Sequence, residues 1–316
     1  MEKYNCPVKK ELEKPGRTRW QKLRQSFLVA GLGAMVAMGN ISCAHNPTPR
    51  PPQQEQNRNF STMQGLVEGL MQHQQNAQND PINNMSLNDE DRIVMLAERL
   101  RMSTVTITTE DGLGSGVVIG SNASLSVVLT AKHVVTNDDG NCSSNIQIRN
   151  QGRTARPFGI LIAPHDIDLA LLIVNDNIGP SISISRDRPR IGPRVFVVGA
   201  GMGANDTVTS GIISNYRTEI TESGYALELL QTDAAINPGN SGGGLYNMRG
   251  ELIGIPVSVR MLNPFSPAQN MGYAIPARLL YQLPLREWSV LPIATPQPAA
   301  SQTPTPQPSG TQTPNH

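Results

Sequence analysis

Cysteine and histidine are scarce in this chain, with three of the first and five of the second among 316 residues. Cys6, Cys43 and Cys142 are too few and too scattered for a paired disulfide framework, so stability has to come from the apolar core. An excess of charge of either sign is also lacking. Lys and Arg number 26 against 25 Asp and Glu, a formal net charge of +1, which gives no electrostatic ground for a nucleic-acid partner. A membrane-length apolar run is not found near the N-terminus either. Phe27–Met38, FLVAGLGAMVAM, holds twelve residues, short of the roughly 20 that a spanning helix needs.

What is present divides the chain into four parts. Residues 1–26 carry eight Lys and Arg against three acids, and the apolar run is followed by Gly39-Asn40-Ile41-Ser42-Cys43-Ala44. A basic flank, a short apolar stretch and small residues read as a secretory signal, which places the remainder outside the cytoplasm. Ser42-Cys43 resembles a bacterial lipobox, with Cys43 the lipidated residue and an N-terminal membrane anchor the consequence; Asn40 departs from the Leu such a box prefers. Residues 44–85, rich in Gln, Asn and Pro, read as a disordered spacer. Within them, Met63–Met71 is a short apolar patch suited to a weak helix. The folded domain is expected over 86–285. Residues 286–316 form a Pro/Thr-rich tail that favours extended polyproline II conformations and needs no core.

The domain opens on SLNDEDRIVMLAERLR, where Ser86 and Asp89 resemble a capping box for a helix reaching about Arg101. Ile93, Val94, Leu96, Ala97 and Leu100 are expected to share its apolar face. From Ser103 the pattern changes to short strands. STVTITT, SGVVIG, LSVVLTA, SNIQIRN, ARPFGILIA and LALLIV form one series; RVFVVGAG, TVTSGIISNYR, YALELLQT, ELIGIPVSV and MGYAI form a second. Such a sequence predicts an all-β fold of two six-stranded Greek-key β-barrels behind one helix. Gly199–Gly203, GAGMG, lacks the strand–helix context of a nucleotide loop and is expected to shape the cleft between barrels.

One hydroxyl stands out. Ser241 lies in QTDAAINPGNSGGG (Gln231–Gly244), flanked by glycines that allow positive φ and close approach of the backbone. Here the amides of Gly239 and Ser241, with Asn240 between them, can converge as an oxyanion hole. A serine nucleophile requires a base, and the base requires an orienting acid. Of the histidines, His45, His73 and His316 lie in the terminal segments. His133 ends the apolar run Val127–Val135, and His165 sits in the loop APHDID, so His133 is the base. Asp168 directly precedes the buried run Leu169–Val174, whereas Asp166 lies further out in the loop; Asp168 is the acid. The order His133, Asp168, Ser241 is that of the chymotrypsin arrangement. The Gly-x-Ser-x-Gly elbow of α/β-hydrolases requires a histidine after the serine, and only His316 follows.

Five segments together resemble the HtrA/Deg-type trypsin-like serine proteases: GSGVVI (Gly114–Ile119), LTAKHVV (Leu129–Val135), DLALLIV (Asp168–Val174), QTDAAINPGNSGGGLYNMRGELIGI (Gln231–Ile255) and MGYAIPA (Met271–Ala277). Pro238 beside the hole and Pro256, where the family often has Asn, are departures, and residues 286–316 are expected to hold no PDZ domain. The resemblance implies a serine endopeptidase acting on unfolded or extended polypeptides in extracytoplasmic quality control or processing, without metal or cofactor. It implies a primary pocket for small or medium aliphatic side chains, and control by loop ordering and homo-oligomer formation. Asn240 stands where digestive relatives have an Asp that pairs with a freed N-terminus, so zymogen cleavage is not the expected switch. The alternative is a protease-like binding protein without catalysis.

Overall fold

Val, Ile and Leu dominate the strand series, and their burial determines which strands lie at the centre. In the computed structural model, which describes residues 61–69, 88–200, 207–257 and 271–293, the first strand series is β1 (Thr104–Thr108), β2 (Leu113–Ser121), β3 (Ser126–Thr130), β4 (Gln147–Asn150), β5 (Arg153–Ala155), β6 (Pro157–Ile162) and β7 (Ala170–Val174). β3 and β7 pair antiparallel and are buried along their full length, as continuous apolar runs covered on both faces should be. The second series is β8 (Arg194–Gly199), β9 (Thr207–Ile220), β10 (Ala226–Thr232), β11 (Gly244–Asn247), β12 (Leu252–Val257) and β13 (Gly272–Pro276), followed by the short β14 (Ser289–Val290).

The two halves close differently. The second is a closed six-stranded barrel in the order β10-β13-β12-β11-β8-β9. The first is an eight-stranded sheet, β14-β6-β7-β3-β2-β1-β4-β5, whose ends do not pair with each other, in place of the closed six-stranded barrel expected. Both are Greek keys, since β4 returns beside β1 and β11 returns beside β8.

The ends of the domain also differ from expectation. Trp288 is 2% exposed, β14 pairs with β6, and the Leu291 amide donates to the Ile160 carbonyl at 2.9 Å. The fold therefore extends past residue 285 to Ile293, because Trp288 and Leu291 have a core to enter. Residues 61–69 form a helix, α1, with Val67 fully buried, so the spacer is interrupted at its apolar patch. Helix α2 (Asp89–Ser103) is capped by Asn88, whose side chain accepts from the Asp91 amide at 2.8 Å. That is the predicted kind of cap, shifted two residues from Ser86, which lies outside the described residues. Leu96 and Leu100 are buried, but Val94 is 53% exposed and belongs to the solvent face. α2 runs directly into β1, where the Thr104 hydroxyl donates to the Leu100 carbonyl at 2.8 Å and meets the Tyr246 hydroxyl of β11 at 3.1 Å. Burial pushes the Tyr246 phenol pKa well above its ordinary value. Cys6, Cys43, the remainder of the Pro/Thr tail and Gly201–Gly203 of the glycine-rich loop lie outside the described residues.

Candidate active site

β3 ends at Thr130, and a 3₁₀ turn, Lys132–Val134, follows it. Ala131 and Val135 are fully buried, which fixes the turn and leaves His133 at the surface of the crevice. Asp168 precedes β7, the strand paired with β3, and is 5% exposed. Its carboxylate reaches His133 twice. One oxygen accepts from the His133 backbone amide at 2.8 Å, and the other lies 2.6 Å from Nδ1. A carboxylate on Nδ1 fixes the neutral ring with its proton there, leaving Nε2 as the basic nitrogen. The competing pair goes elsewhere. His165 and Asp166 are exposed, both with positive φ (60° and 54°). His165 stacks on Tyr225 across the crevice, with ring centroids 4.9 Å apart and planes 8° from parallel.

Ser241 lies between β10 and β11 and is 8% exposed. The loop before it is a turn in which the Asn240 amide donates to the Asn237 carbonyl at 2.9 Å and Gly239 has φ +95°. Proline at the second position and a positive φ at the third are the features of a type II turn. Among the described residues, neither the Gly239 nor the Ser241 N–H donates to any acceptor, so both remain available to an external oxygen. Asn240 is 1% exposed, and its side-chain amide nitrogen has no partner. Gly242 packs so closely on the first sheet that an added Cβ would overlap Thr130 and Ser115 and lie 2.9 Å from the Ala131 nitrogen. The residue after the serine therefore abuts the residue two before the histidine. The Ser241 hydroxyl makes no hydrogen bond to the imidazole. Bonds of this kind often tighten only around substrate.

One residue at this junction had no assigned role in the sequence. Ser115, fully buried on β2, donates its hydroxyl to the Gly239 carbonyl at 2.7 Å and accepts there from the Ala200 amide at 2.8 Å. Its own amide donates to the Ser241 carbonyl at 2.9 Å, and its carbonyl accepts from the Thr130 hydroxyl at 2.6 Å. The Gly-Ser-Gly of GSGVVI, two glycines beside a buried hydroxyl, was the available signal.

A cleft of about 400 Å³ adjoins His133 and is lined from both halves. Leu227, Leu229, Val257, Tyr273 and Ile275 line it with apolar surface, while Lys132, Asp166, Glu219 and Glu222 bring charge to its walls. Burial raises the Glu219 carboxyl pKa, opposed by Arg217 nearby. Asp233 does not serve this side, because its carboxylate accepts from the Ile212 amide at 2.7 Å. Among the described residues no three His, Cys, Asp or Glu gather in a way that could hold a metal ion, and no helix is long and apolar enough to cross a membrane.

Residues 114–255 match the trypsin-like peptidase domain. Among curated proteins, the periplasmic pH-dependent serine endoprotease DegQ of Escherichia coli is 40% identical over 178 residues, 54% of this chain and 36% of that one. The serine protease PepD of Mycobacterium tuberculosis is 32% identical over 207 residues, 58% of this chain and 44% of that one. The chain thus spans less than half the length of either relative. Among solved structures, an inactive form of Rv3671c from M. tuberculosis H37Rv shares the fold, with a TM-score of 0.50 at 20% identity over 60% of this chain and 87% of that one.

Proposed function

We propose, since residues 114–255 match the trypsin-like peptidase domain and the serine endoprotease DegQ is among the relatives, that this chain is a serine endopeptidase whose catalytic residues are His133, Asp168 and Ser241. Nε2 of His133 takes the proton of the Ser241 hydroxyl as the oxygen attacks a peptide carbonyl. Asp168 holds the ring and stabilises the imidazolium. The Gly239 and Ser241 amides receive the developing oxyanion, with Asn240 setting the turn between them, at about 2.7–4 kcal/mol per donor. The protonated histidine then protonates the leaving amine, and water, activated by the same ring, releases the acyl group. The observation that carries this reading is the doubly bonded His133–Asp168 pair beside a segment, Thr130–Ala131, against which Gly242 of the serine loop packs, with the Gly239 and Ser241 amides of that loop donating to no acceptor among the described residues.

The substrate is an extended or unfolded polypeptide lying in the crevice. The primary pocket suits small or medium aliphatic side chains. In the segment leading to Ser241, Ile236 packs on Gly272, Ala234 is buried, and Asp233 is turned to β9. The work is extracytoplasmic, as in the relatives named periplasmic, with Cys43 as the lipid-bearing anchor and a homo-oligomer as the assembled form. A fluorophosphonate probe should label the wild type at Ser241, and Ser241→Ala should lose labelling and about 10⁶ in kcat on a peptide substrate. An unlabelled wild type would instead establish the protease-like binding protein.

A further inference from the structure

We infer that Ser115 is a positioning residue for the oxyanion hole, the link by which the first sheet sets the nucleophile loop of the second barrel. The inference rests on the serine-peptidase reading. Ser115 grips the carbonyls of Gly239 and Ser241, one through its hydroxyl and one through its amide. Those carbonyls flank the Asn240–Ser241 peptide, whose N–H is one of the two hole donors. Holding a peptide from both sides fixes its plane, and a donor in a hole is effective only when it is aimed before the charge appears.

The other end of the link lies beside the base. The Ser115 carbonyl accepts from Thr130, the last residue of β3 and three before His133. A short path, Thr130 to Ser115 to Gly239 and Ser241, therefore joins the strand that delivers the imidazole to the loop that delivers the hydroxyl. No other residue among the described residues hydrogen-bonds to the carbonyls on both sides of that peptide. The Ala200 amide, held by the same hydroxyl, orients the Ser115 oxygen so that its proton goes to Gly239. A buried hydroxyl with every bond satisfied is also expected of a purely structural residue, so the kinetic split has to separate the two roles.

Ser115→Ala should lower kcat about ten- to a hundredfold, less than the hundred- to thousandfold for loss of a donor itself, with KM within about twofold. Affinity for a peptide boronic acid, whose tetrahedral adduct places an oxygen in the hole, should fall by the same factor as kcat, while affinity for the cleaved peptide should not change. Ser115→Cys, close in size and a weaker donor, should fall between wild type and Ala. It carries the test if the Ala chain fails to fold. Thr130→Val should show the same split more weakly. An active wild type with a Ser115 variant that keeps its kcat, or loses only KM, overturns the positioning role alone. A wild type that neither cleaves nor labels overturns the peptidase reading and this inference with it.

Discussion

The two halves of the molecule hold the groups proposed as catalytic by different means. In the first sheet, the pairing of His133 with Asp168 is complete within the half: β3 and β7 are hydrogen-bonded neighbours, both fully buried, and each delivers one partner at its end. The second barrel is the more perfectly closed of the two, yet the loop it contributes is not held by the barrel alone. The carbonyls of Gly239 and Ser241 are satisfied by Ser115, and Gly242 rests on Thr130, Ser115 and Ala131, all from the first half. A base–acid pair needs one distance and one tautomer, which two adjacent strands can set. A hole and its nucleophile need several groups aimed at a point in space, which a loop achieves only against a wall.

If the first half is self-contained, a substitution confined to its pair should stop the chemistry and leave the second half as it was. Asp168→Asn keeps the shape while offering the imidazole an amide, which favours the wrong tautomer. The expected loss in kcat is about 10⁴, measured with a peptide substrate, with little change in the thermal midpoint. A loss below about a hundredfold would mean that the pair is not what orients the ring, and Asp166 would have to be reconsidered.

The complementary test is on the loop. Gly239 has φ +95°, and an added Cβ would run into the Ala200 carbonyl and approach the Leu113 side chain at 3.3 Å. Gly239→Ala should force the turn out of its type II form and swing one donor away, lowering kcat by about 10²–10³. The His133–Asp168 pair should survive, seen as an unchanged resonance of the hydrogen-bonded Nδ1 proton of His133 by NMR. A ring that changes with the loop would show the halves to be more tightly coupled than the bonds described here.

This division also explains which parts were legible in the sequence. His133 and Asp168 could be picked out because each borders an apolar run that encodes its own strand, and Ser241 because glycine, proline and asparagine encode a turn locally. The roles of Ser115 and Thr130 could not, since the Ser115 hydroxyl finds its partner 124 positions along the chain and nothing in GSGVVI names that partner. β11 has no strand signal of its own because Gly244–Asn247 is four residues long and continuous with the serine motif. The C-terminal limit expected at residue 285 falls short of the fold because composition turns Pro- and Thr-rich only after the buried Trp288 and Leu291. The open edge of the first sheet was not legible either, because strand count alone does not say whether β5 and β14 meet.

The smallest effect belongs to a charged network on the second barrel, where Glu228 on β10 accepts two bonds from Arg188 in the segment joining the halves, at 3.1 and 2.9 Å, and one from Arg278 at 2.9 Å. The bonds from Arg188, then its charge and that of Arg278, hold the carboxyl below its ordinary range despite partial burial. A carboxyl whose folded pKa is depressed contributes stability that is full above the unfolded pKa and is lost as pH falls through the folded value. The Arg188 side chain is 54% exposed, so solvent screens the network and its loss should lower the thermal midpoint by at most about 2–4 °C for a domain of this size. Glu228→Gln should therefore show a small deficit at neutral pH. That deficit should close as the solution is acidified through the carboxyl range and shrink in high salt. Peptidase activity per folded molecule should be unchanged, because no bond of this network reaches the crevice loop. A deficit that persists at acid pH would mean Glu228 stabilises by packing, and a fall in kcat would show that this network helps hold the nucleophile loop after all.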